Sequence, residues 1–285
     1  MLKLVAAVAA GGVIGFLIAA TKSKAAPQAG AKKGKLTLGY WKIRGLCAPL
    51  RMMCFYAGEP FTNKAYGEDA KDEWFGKDKN RLKASNALIN LPYVIEGPTA
   101  ADPKVTVVTQ SNSCLLWLGQ RLGIDKPEHA VHNHQALDQV MDLRNDTMKI
   151  VYGFSKVVPS KDEFPAGLAK HMQGAATHLT KLEGHCVGPF MCGVAPQSSD
   201  FHVFEMFDQH VLMCEQTGVP FDFAQFPKLS ALHRAMKSDP ALATYFASDF
   251  YCKYAFNNAM YTFFCGAGYG DGPFGPTLEE AVKVR

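Results

Sequence analysis

Runs of alternating apolar and polar residues occur in the stretch between residues 35 and 110. Such runs are typical of half-buried strands, and they predict strands at 36–40, 61–66, 91–95 and 105–108. Apolar residues at helical spacing predict helices at 48–56 and 111–122. The predicted order is therefore β-α-β, an irregular stretch, and then a β-hairpin followed by a helix.

The second half of the chain has almost no strand signal. Helical periodicity and helix end signals predict helices at 135–157, 165–185, 200–216, 228–238 and 240–247. The segment 123–131, which contains Pro127, is predicted to be the hinge between the two halves. The pattern predicts a mixed α/β domain followed by an all-helical domain.

Composition and charge exclude two classes of protein. With 285 residues and 48% hydrophobic side chains, the chain can bury a large core and is not disordered. The net charge is +4, but residues 1–35 hold six lysines and no acidic residue. The remainder has 24 basic and 26 acidic residues, a net charge of −2. A nucleic-acid-binding domain needs positive charge on its folded part, so nucleic acid is not an expected partner.

The eight cysteines lie far apart, and no two of them form a Cys-x-x-Cys pair. This spacing argues against zinc fingers and against thioredoxin-type redox chemistry. We expect reduced, mostly buried thiols and a main domain that faces a reducing compartment.

The stretch from Leu4 to Ala20 is seventeen residues long and uncharged. As a helix it would span roughly 26 Å, slightly less than the hydrocarbon core of a bilayer. We interpret residues 1–20 as an uncleaved transmembrane signal anchor and 21–34 as a flexible linker. A cleaved signal peptide, with small residues before Ala25 or Ala26, is the competing interpretation.

The residues in and around this stretch suggest a topology. Five lysines follow the apolar stretch and one precedes it, which places the main domain on the cytosolic or matrix side of a membrane. The mitochondrial inner membrane is the favoured location, and the endoplasmic reticulum is the alternative. Gly11 and Gly15 form a Gly-x-x-x-Gly step that allows close approach of another helix, although glycine is also common in weakly apolar anchors.

Two local features suggest ligand chemistry in the first domain. Pro92 stands at the entrance of a predicted strand, where a proline is tolerated because it cannot donate a ladder hydrogen bond. Thr109 and Ser111 precede or begin a predicted helix, and either one is a good N-cap residue. The free N–H groups at such a helix end can bind a carboxylate, but simple capping explains the residues equally well.

Several motifs, in the same order, resemble those of the mu-class glutathione transferases. They are Leu-Gly-Tyr-Trp-Lys-Ile-Arg-Gly-Leu at 38–46, Asn-Leu-Pro-Tyr at 90–93, Thr-Gln-Ser-Asn at 109–112, Asp-Gln-Val-Met-Asp at 138–142 and Phe-Pro-Lys-Leu at 226–229. The resemblance covers about residues 36–250. It implies a thioredoxin-like domain and an all-α glutathione-transferase domain, usually assembled as a two-fold homodimer. The implied boundaries are 35–122 for the first domain, 123–134 for a linker, 135–264 for the helical domain and 265–285 for a C-terminal extension.

The resemblance also implies residue functions. Tyr40 matches the catalytic tyrosine, whose hydroxyl donates to the sulfur of glutathione and favours the thiolate. Tyr152 matches a tyrosine that faces the electrophile. Asp142 matches an acid that reaches across the dimer to the γ-glutamyl amine. A solvated helix carboxylate is the alternative interpretation of Asp142. The glutathione-binding positions are Trp41, Leu46, Trp74, Lys79, Asn90, Leu91, Pro92, Gln110, Ser111 and Asp142. Pro92 is expected to be cis. Glutathione is a substrate in this chemistry, and no metal is expected.

The chain departs from the family pattern at four places. It is shorter between Tyr66 and Trp74, and longer between Trp74 and Asn90, which leaves Lys77 as an alternative to Lys79. The cap of the central helix in the second domain, usually Ser/Thr-x-x-Asp, is Gln-Ser-Ser-Asp at 197–200. Residues 266–285 have no recognised family counterpart.

Histidines recur at 171, 178 and 185, and others cluster at 129, 132 and 134. One helix face and a solvated loop explain these spacings without a metal.

Two functions are compatible with the sequence. The first is a membrane-anchored glutathione transferase that joins the glutathione thiolate to apolar electrophiles. The second is a transferase-like accessory subunit of a mitochondrial respiratory or photosynthetic membrane complex, with little or no activity. The site motifs favour the first function, and the anchor and the C-terminal extension favour the second.

Overall fold

A five-stranded sheet organises the first domain in the computed structural model, which describes residues 33–68, 70–99, 103–266 and 281–282. The strand order is β4-β3-β1-β2-β5. The strands are β1 (Leu36–Trp41), β2 (Phe61–Tyr66), β3 (Tyr93–Glu96), β4 (Thr106–Thr109) and β5 (Ala281–Val282). Strand β1 pairs parallel with β2 and antiparallel with β3, while β3 and β4 form the predicted hairpin.

Close packing inside the sheet depends on one glycine. Gly39 pairs with Tyr93 across β1 and β3. A Cβ at position 39 would lie 2.0 Å from the ring of Tyr93, so no larger residue fits there without moving the ring. The ring of Tyr93 also packs with Tyr66 and Trp74 in a second, smaller hydrophobic cluster.

Helices cover the sheet and form the second domain. In the first domain these are α1 (Ala48–Tyr56), a π-helical segment (Lys71–Asp78) that continues into α2 (Lys79–Lys83), and α3 (Ser111–Leu122). The second domain contains α4 (Ala130–Val151), α5 (Phe164–His185), α6 (Ser198–Thr217), α7 (Pro227–Ser238), α8 (Ala243–Ala247) and α9 (Asp249–Cys252). The main hydrophobic core runs without a break through both domains.

Most predicted element boundaries are close to the observed ones, and the linker differs most. Helix α4 begins at Ala130, inside the predicted linker 123–134, because the 3₁₀ turn Pro127–His129 leads directly into it. The same helix ends at Val151 instead of residue 157, and Tyr152 has an extended backbone. Strand β3 begins at Tyr93, after Pro92, which cannot donate to the ladder.

None of the helices in the described part of the chain is long and apolar enough to cross a membrane. The predicted anchor at 1–20 and almost all of the predicted linker at 21–34 lie outside the described residues. The same is true of residues 267–280 in the C-terminal extension.

The unusual start of the central helix α6 is explained by side chains from the preceding domain boundary. Asp125 accepts hydrogen bonds from the backbone N–H of Ser198 (2.7 Å) and from its hydroxyl (2.8 Å). The Asn133 side chain accepts from the N–H of Ser199 at 3.0 Å. Asp200 accepts from the N–H of Gln197 at 2.8 Å. A carboxylate from outside the helix therefore adds to a local capping box, in which Gln197 takes the place of the usual Ser or Thr.

The seven-residue repeat of histidines is a packing pattern. His178 bonds to Asp146 (3.1 Å) and Gln139 (2.8 Å) on α4. His185 stacks on His132 with ring centroids 3.5 Å apart. His171 lies 3.2 Å from His210 of α6, measured between their Nε2 atoms.

Burial of histidines makes stability depend on pH. Desolvation lowers the pKa of His171 to about 3, that of His202 to about 3 and that of His210 to about 4. These side chains stay neutral in the folded protein but bind protons below about pH 6.5 when unfolded. They therefore reduce the free energy of unfolding as pH falls below that value. Burial raises the pKa of Asp200 to about 7, which acts in the opposite direction over the same range.

We predict that His171→Gln becomes more stable relative to wild type as pH falls from 6.5 to 4.5. The gain in the free energy of unfolding should be at most about 1.4 kcal/mol per pH unit, which corresponds to the uptake of one proton. Chemical denaturation at several pH values measures it. Exposed His134 provides the matched control, and His134→Gln should follow the wild-type curve. Parallel curves for His171→Gln and wild type would show that His171 titrates normally in the folded protein.

Candidate functional site

Sheet register brings three predicted site segments to one end of the sheet. Tyr40 lies at the C-terminal end of β1, and β1 runs antiparallel to β3 with Gly39 opposite Tyr93. Leu91 and Pro92, joined by a cis peptide bond, directly precede β3 and lie at this same end. Thr109 pairs with Tyr93, so Gln110 and Ser111 follow β4 here as well.

The Tyr40 hydroxyl is held by a tight loop between β1 and α1. The N–H of Leu46 donates towards its oxygen. Gly45 has φ +39, and a Cβ at this position would lie 2.7 Å from the Tyr40 ring and 2.9 Å from its hydroxyl. The loop can therefore close around the phenol only because residue 45 is glycine.

The electrostatics keep the Tyr40 phenol protonated. Burial raises its pKa, and the positive charge of Arg144 on α4 only partly opposes this effect. The Tyr40 side chain is 4% exposed. At neutral pH it is a neutral hydrogen-bond donor.

Tyr40 borders an open cavity of about 540 Å³ between the two domains. The first domain contributes Trp41, Ile43, Gly67, Glu68, Ala70 and Phe75 to its wall. Helix α4 and the residues after it contribute Arg144, Tyr152 and Phe154. The C-terminal segment contributes Asn258, Met260 and Tyr261. A mostly apolar cavity with a few polar groups is typical of a small-molecule site.

The loop that carries Gly45 is fixed from the second domain. Its neighbour Arg44 donates to Glu205 at 3.0 and 2.7 Å and to Asp208 at 3.0 Å. The Arg44 guanidinium lies between the rings of Tyr251 and Phe256, 4.3 and 3.8 Å from their centroids.

Comparison with known proteins agrees with this architecture. Residues 141–249 match the family model described as the glutathione S-transferase C-terminal domain. A class-mu 26 kDa glutathione S-transferase of Fasciola hepatica is 26% identical over 241 residues, which cover 84% of this chain and 98% of the relative. Glutathione S-transferase Mu 1 of Oryctolagus cuniculus is 27% identical over 75% of this chain and 91% of its own length. The chain is thus similar to glutathione S-transferases over most of its length.

Solved structures show the same fold. The glutathione S-transferase Blo t 8 superposes with a TM-score of 0.62 at 22% identity, over 79% of this chain and 98% of its own. The pi-class glutathione S-transferase of Onchocerca volvulus gives 0.58 at 20% identity, over 78% of this chain and 97% of its own. The predicted thioredoxin-like domain followed by an all-α glutathione S-transferase domain is thus confirmed.

Three of the residues predicted from the glutathione S-transferase pattern lie together around the cavity. Tyr40, Trp41 and Tyr152 border it. The Tyr152 hydroxyl accepts a hydrogen bond from the N–H of Asn258 at 3.1 Å, which leaves its own proton free to donate. Burial raises the pKa of Tyr152 to about 12, so it too is neutral. Leu46 acts through its backbone, next to the Tyr40 hydroxyl.

Other predicted residues are not part of the cavity wall: Asn90, Gln110 and Ser111 lie at the sheet end, and Asp142 lies on α4. The Asn90 side chain accepts from the N–H of Leu91 at 3.0 Å, so this N–H is paired with its neighbour. Gln110 has φ 73, an unusual conformation for a residue other than glycine. Ser111 is the first residue of α3. Asp142 is exposed on α4.

Trp74 is a core residue and does not border the cavity. Only 1% of its surface is exposed, and its ring packs against Tyr66 and Tyr93 with centroids 5.2 and 5.9 Å away. Its neighbour Phe75, 52% exposed, borders the cavity instead. The Nζ of Lys79 lies 5.6 Å from the centroid of the Phe75 ring, while Lys77 pairs with Glu73 at 2.7 Å. This geometry favours Lys79 over Lys77 as the residue near the site.

Sequence reasoning missed Arg144 and the C-terminal wall of the cavity. Arg144, Met148 and Tyr152 are spaced four residues apart, so they would share one face of the predicted helix 135–157. The prediction for Tyr152 could therefore have identified Arg144. The positions of Asn258, Met260 and Tyr261 could not be found in this way, because they depend on how the end of the chain folds back.

Replacing Gly45 tests how the loop holds Tyr40. An alanine at positive φ costs about 1 kcal/mol on conformational grounds alone. We predict that Gly45→Ala lowers the free energy of unfolding by about 1–2 kcal/mol beyond that cost. Gly58→Ala is the matched control, because Gly58 has φ +64 but open space around a Cβ. The NMR signal of labelled Tyr40 should shift only in Gly45→Ala. Equal costs in both variants would mean that the loop does not press on the phenol.

Proposed function

We propose that this protein is a glutathione transferase that joins the glutathione thiolate to apolar electrophiles. The observation that carries the proposal is the Tyr40 phenol, which is protonated and borders an apolar cavity at the end of the sheet. A phenol in this state can donate to the sulfur of a bound thiol. The donated bond stabilises the thiolate and lowers the pKa of the thiol.

The reaction would need only a few steps. The thiol of glutathione loses its proton to solvent, and the Tyr40 O–H donates to the resulting thiolate. The sulfur lone pair then forms a bond to an electrophilic carbon held in the cavity, and the bond from that carbon to its leaving group breaks; with an aryl halide, a halide ion leaves to solvent. The apolar walls, including Trp41 and Phe75, bind the electrophile and exclude water from the reacting centre.

The tripeptide would lie along the sheet end next to Tyr40. In this proposal, the backbone of Leu91 pairs with the cysteinyl unit after the Asn90 side chain turns away from the Leu91 N–H. Gln110 and Ser111, at the start of α3, bind the γ-glutamyl carboxylate through N–H groups and the hydroxyl. Lys79 and Trp41 lie towards the glycine end. In a homodimer, Asp142 would contact the γ-glutamyl amine bound to the partner subunit.

We predict that Tyr40→Phe reduces kcat/KM for glutathione conjugation of an aryl halide by about 10²-fold, because one donor to the developing charge is lost. Glutathione binding should change little. The pH profile of kcat/KM should shift to higher pH, since the bound thiol then ionises less readily. Tyr56→Phe, a half-buried tyrosine outside the site, is the matched control.

An unchanged rate and pH profile in Tyr40→Phe would refute this mechanism. If the full-length protein binds glutathione but shows no Tyr40-dependent conjugation, and migrates in a stable membrane complex on a native gel, the accessory-subunit function is supported instead. Monodisperse dimers with Tyr40-dependent activity support the enzyme.

Membrane attachment through residues 4–20 is part of the proposal, with the main domain on the cytosolic or matrix side. The uncharged stretch and its flanking lysines support it. We predict that the full-length protein resists alkaline carbonate extraction from membranes. The double variant Val13→Arg/Leu17→Arg should be extracted, because each arginine costs about 2.5–3.5 kcal/mol at the centre of a membrane helix. Ala25→Arg, outside the stretch, is the control. Extraction of the wild-type protein would contradict membrane anchoring.

A further inference from the structure

Arg51 of α1 is a fully buried arginine without a carboxylate partner. Its surface is 0% exposed, and it forms no ion pair with any carboxylate in the described part of the chain. Two other arginines with buried side chains, Arg44 and Arg121, each contact two carboxylates, which are Glu205 and Asp208 for the first and Glu59 and Glu96 for the second. A guanidinium taken out of water needs a compensating negative charge, so Arg51 requires an explanation.

Protein groups satisfy two of the three guanidinium nitrogens of Arg51. The Nε atom donates to Asn63 Oδ1 at 3.1 Å, and Nη1 donates to the carbonyl of Ile43 at 2.8 Å. The buried Nη2 atom has no hydrogen-bond partner among the described residues. Arginine carries only donors, so a buried Nη2 calls for an acceptor that the neighbouring side chains do not supply.

Two further polar groups beside Arg51 are also buried and unpaired. They are the Nδ2 of Asn63, whose amide is held by Arg51 Nε, and the hydroxyl of Tyr254, whose ring centroid lies 5.1 Å from Arg51 Cζ. Asn63 is 3% exposed and Tyr254 0%. Burial raises the pKa of Tyr254, whereas the charge of Arg51 and the amide of Asn63 lower it, which places both groups beside its hydroxyl. The three side chains therefore form one cluster of unpaired donors.

The surroundings of this cluster strengthen its attraction for negative charge. The ring centroid of Phe250 lies 5.2 Å from Arg51 Cζ and packs against the rings of Phe61 and Tyr254, 6.1 and 5.6 Å away. Charge interacts more strongly in such apolar surroundings than in water. Glu205 is near enough to respond to the charge of Arg51, but its oxygens accept from Arg44 at 3.0 and 2.7 Å.

We propose that Arg51, Asn63 and Tyr254 form a binding site for one small inorganic anion of the halide type, such as chloride. An anion can accept from all three donors and balances the guanidinium charge. A water molecule would accept from two donors, would need acceptors for its own hydrogens and would leave the charge unbalanced. None of the three residues borders the cavity beside Tyr40, so the inference does not depend on the proposed transferase function.

The first test measures unfolding of the full-length protein by urea in a nonionic detergent. Sodium chloride replaces sodium gluconate at constant ionic strength, so that charge screening stays constant and only the anion that fits the site varies. Above the dissociation constant, each tenfold increase in chloride should raise the ratio of folded to unfolded protein about tenfold. Equal stability in chloride and gluconate would overturn the inference.

Two variants test the site residues. Asn63→Asp places a carboxylate next to Arg51, so it should compensate the charge internally and abolish the chloride dependence while the protein still folds. Tyr254→Phe should weaken chloride binding about 10-fold, because one hydrogen bond to a charged group is lost. Asn80→Asp, which adds the same charge at an exposed position, is the matched control and should keep the wild-type dependence. An unchanged chloride dependence in Asn63→Asp would contradict the assignment of Arg51.

Crystals of the protein soaked in sodium bromide locate the ion directly, because bromine scatters anomalously. We expect an anomalous peak within hydrogen-bond distance of Arg51 Nη2 and of the Tyr254 hydroxyl. Ordered water there without an anomalous signal would overturn the inference, as would bromide at exposed positions alone, which would indicate an adventitious ion only. Failure of Tyr40-dependent conjugation would overturn the proposed function and leave this site unaffected, since neither measurement involves catalysis.

Discussion

The position of the Tyr40 hydroxyl depends on a buried ion network from the other domain. Arg44 is the residue directly before Gly45, and its guanidinium is bound by Glu205 and Asp208 of α6. The N–H groups of Arg44 and Gly45 also donate to the carbonyls of Ala255 and Phe256. A buried ion pair of this kind adds little net stability but fixes geometry, because its partners cannot separate without leaving a charge unpaired. The loop around Tyr40 is thus positioned by helix α6 and by the C-terminal segment.

Burial and the positive charge of Arg144 shift the pKa of Tyr40 in opposite directions. Both effects suit the proposed chemistry. Burial of Tyr40 keeps the phenol neutral, whereas the charge of Arg144 stabilises negative charge nearby. A dry site strengthens a donated hydrogen bond, and a fixed cation stabilises an anion that forms there. The same wall can therefore favour a bound thiolate. The C-terminal segment completes the site by pairing with Tyr152 and Val151.

Local patterns predicted the elements well wherever short-range physics decides the structure. Helices 48–56 and 111–122 have the observed bounds because end signals coincide with them, such as Pro49 in the first turn and Gly123 in a left-handed cap. The start of α4 was predicted too late, since the 3₁₀ turn Pro127–His129 leads directly into the helix. Trp74 was placed at the ligand by motif position, but its ring fills the space between Tyr66 and Tyr93. A short motif does not reveal how a side chain packs against residues from other segments of the chain.

The amino-acid sequence by itself determined the order of strands and helices and the division into a mixed and a helical half, because periodicity and helix end signals are local properties of a chain. Short motifs predicted Tyr40 as the catalytic residue. Only the tertiary structure decided what surrounds that phenol. Arg144, Phe75 and Tyr261 are far apart in sequence, and they meet at one cavity because the helical domain and the C-terminal segment pack against the sheet end. Such contacts depend on the simultaneous packing of many side chains, and no single segment carries that information.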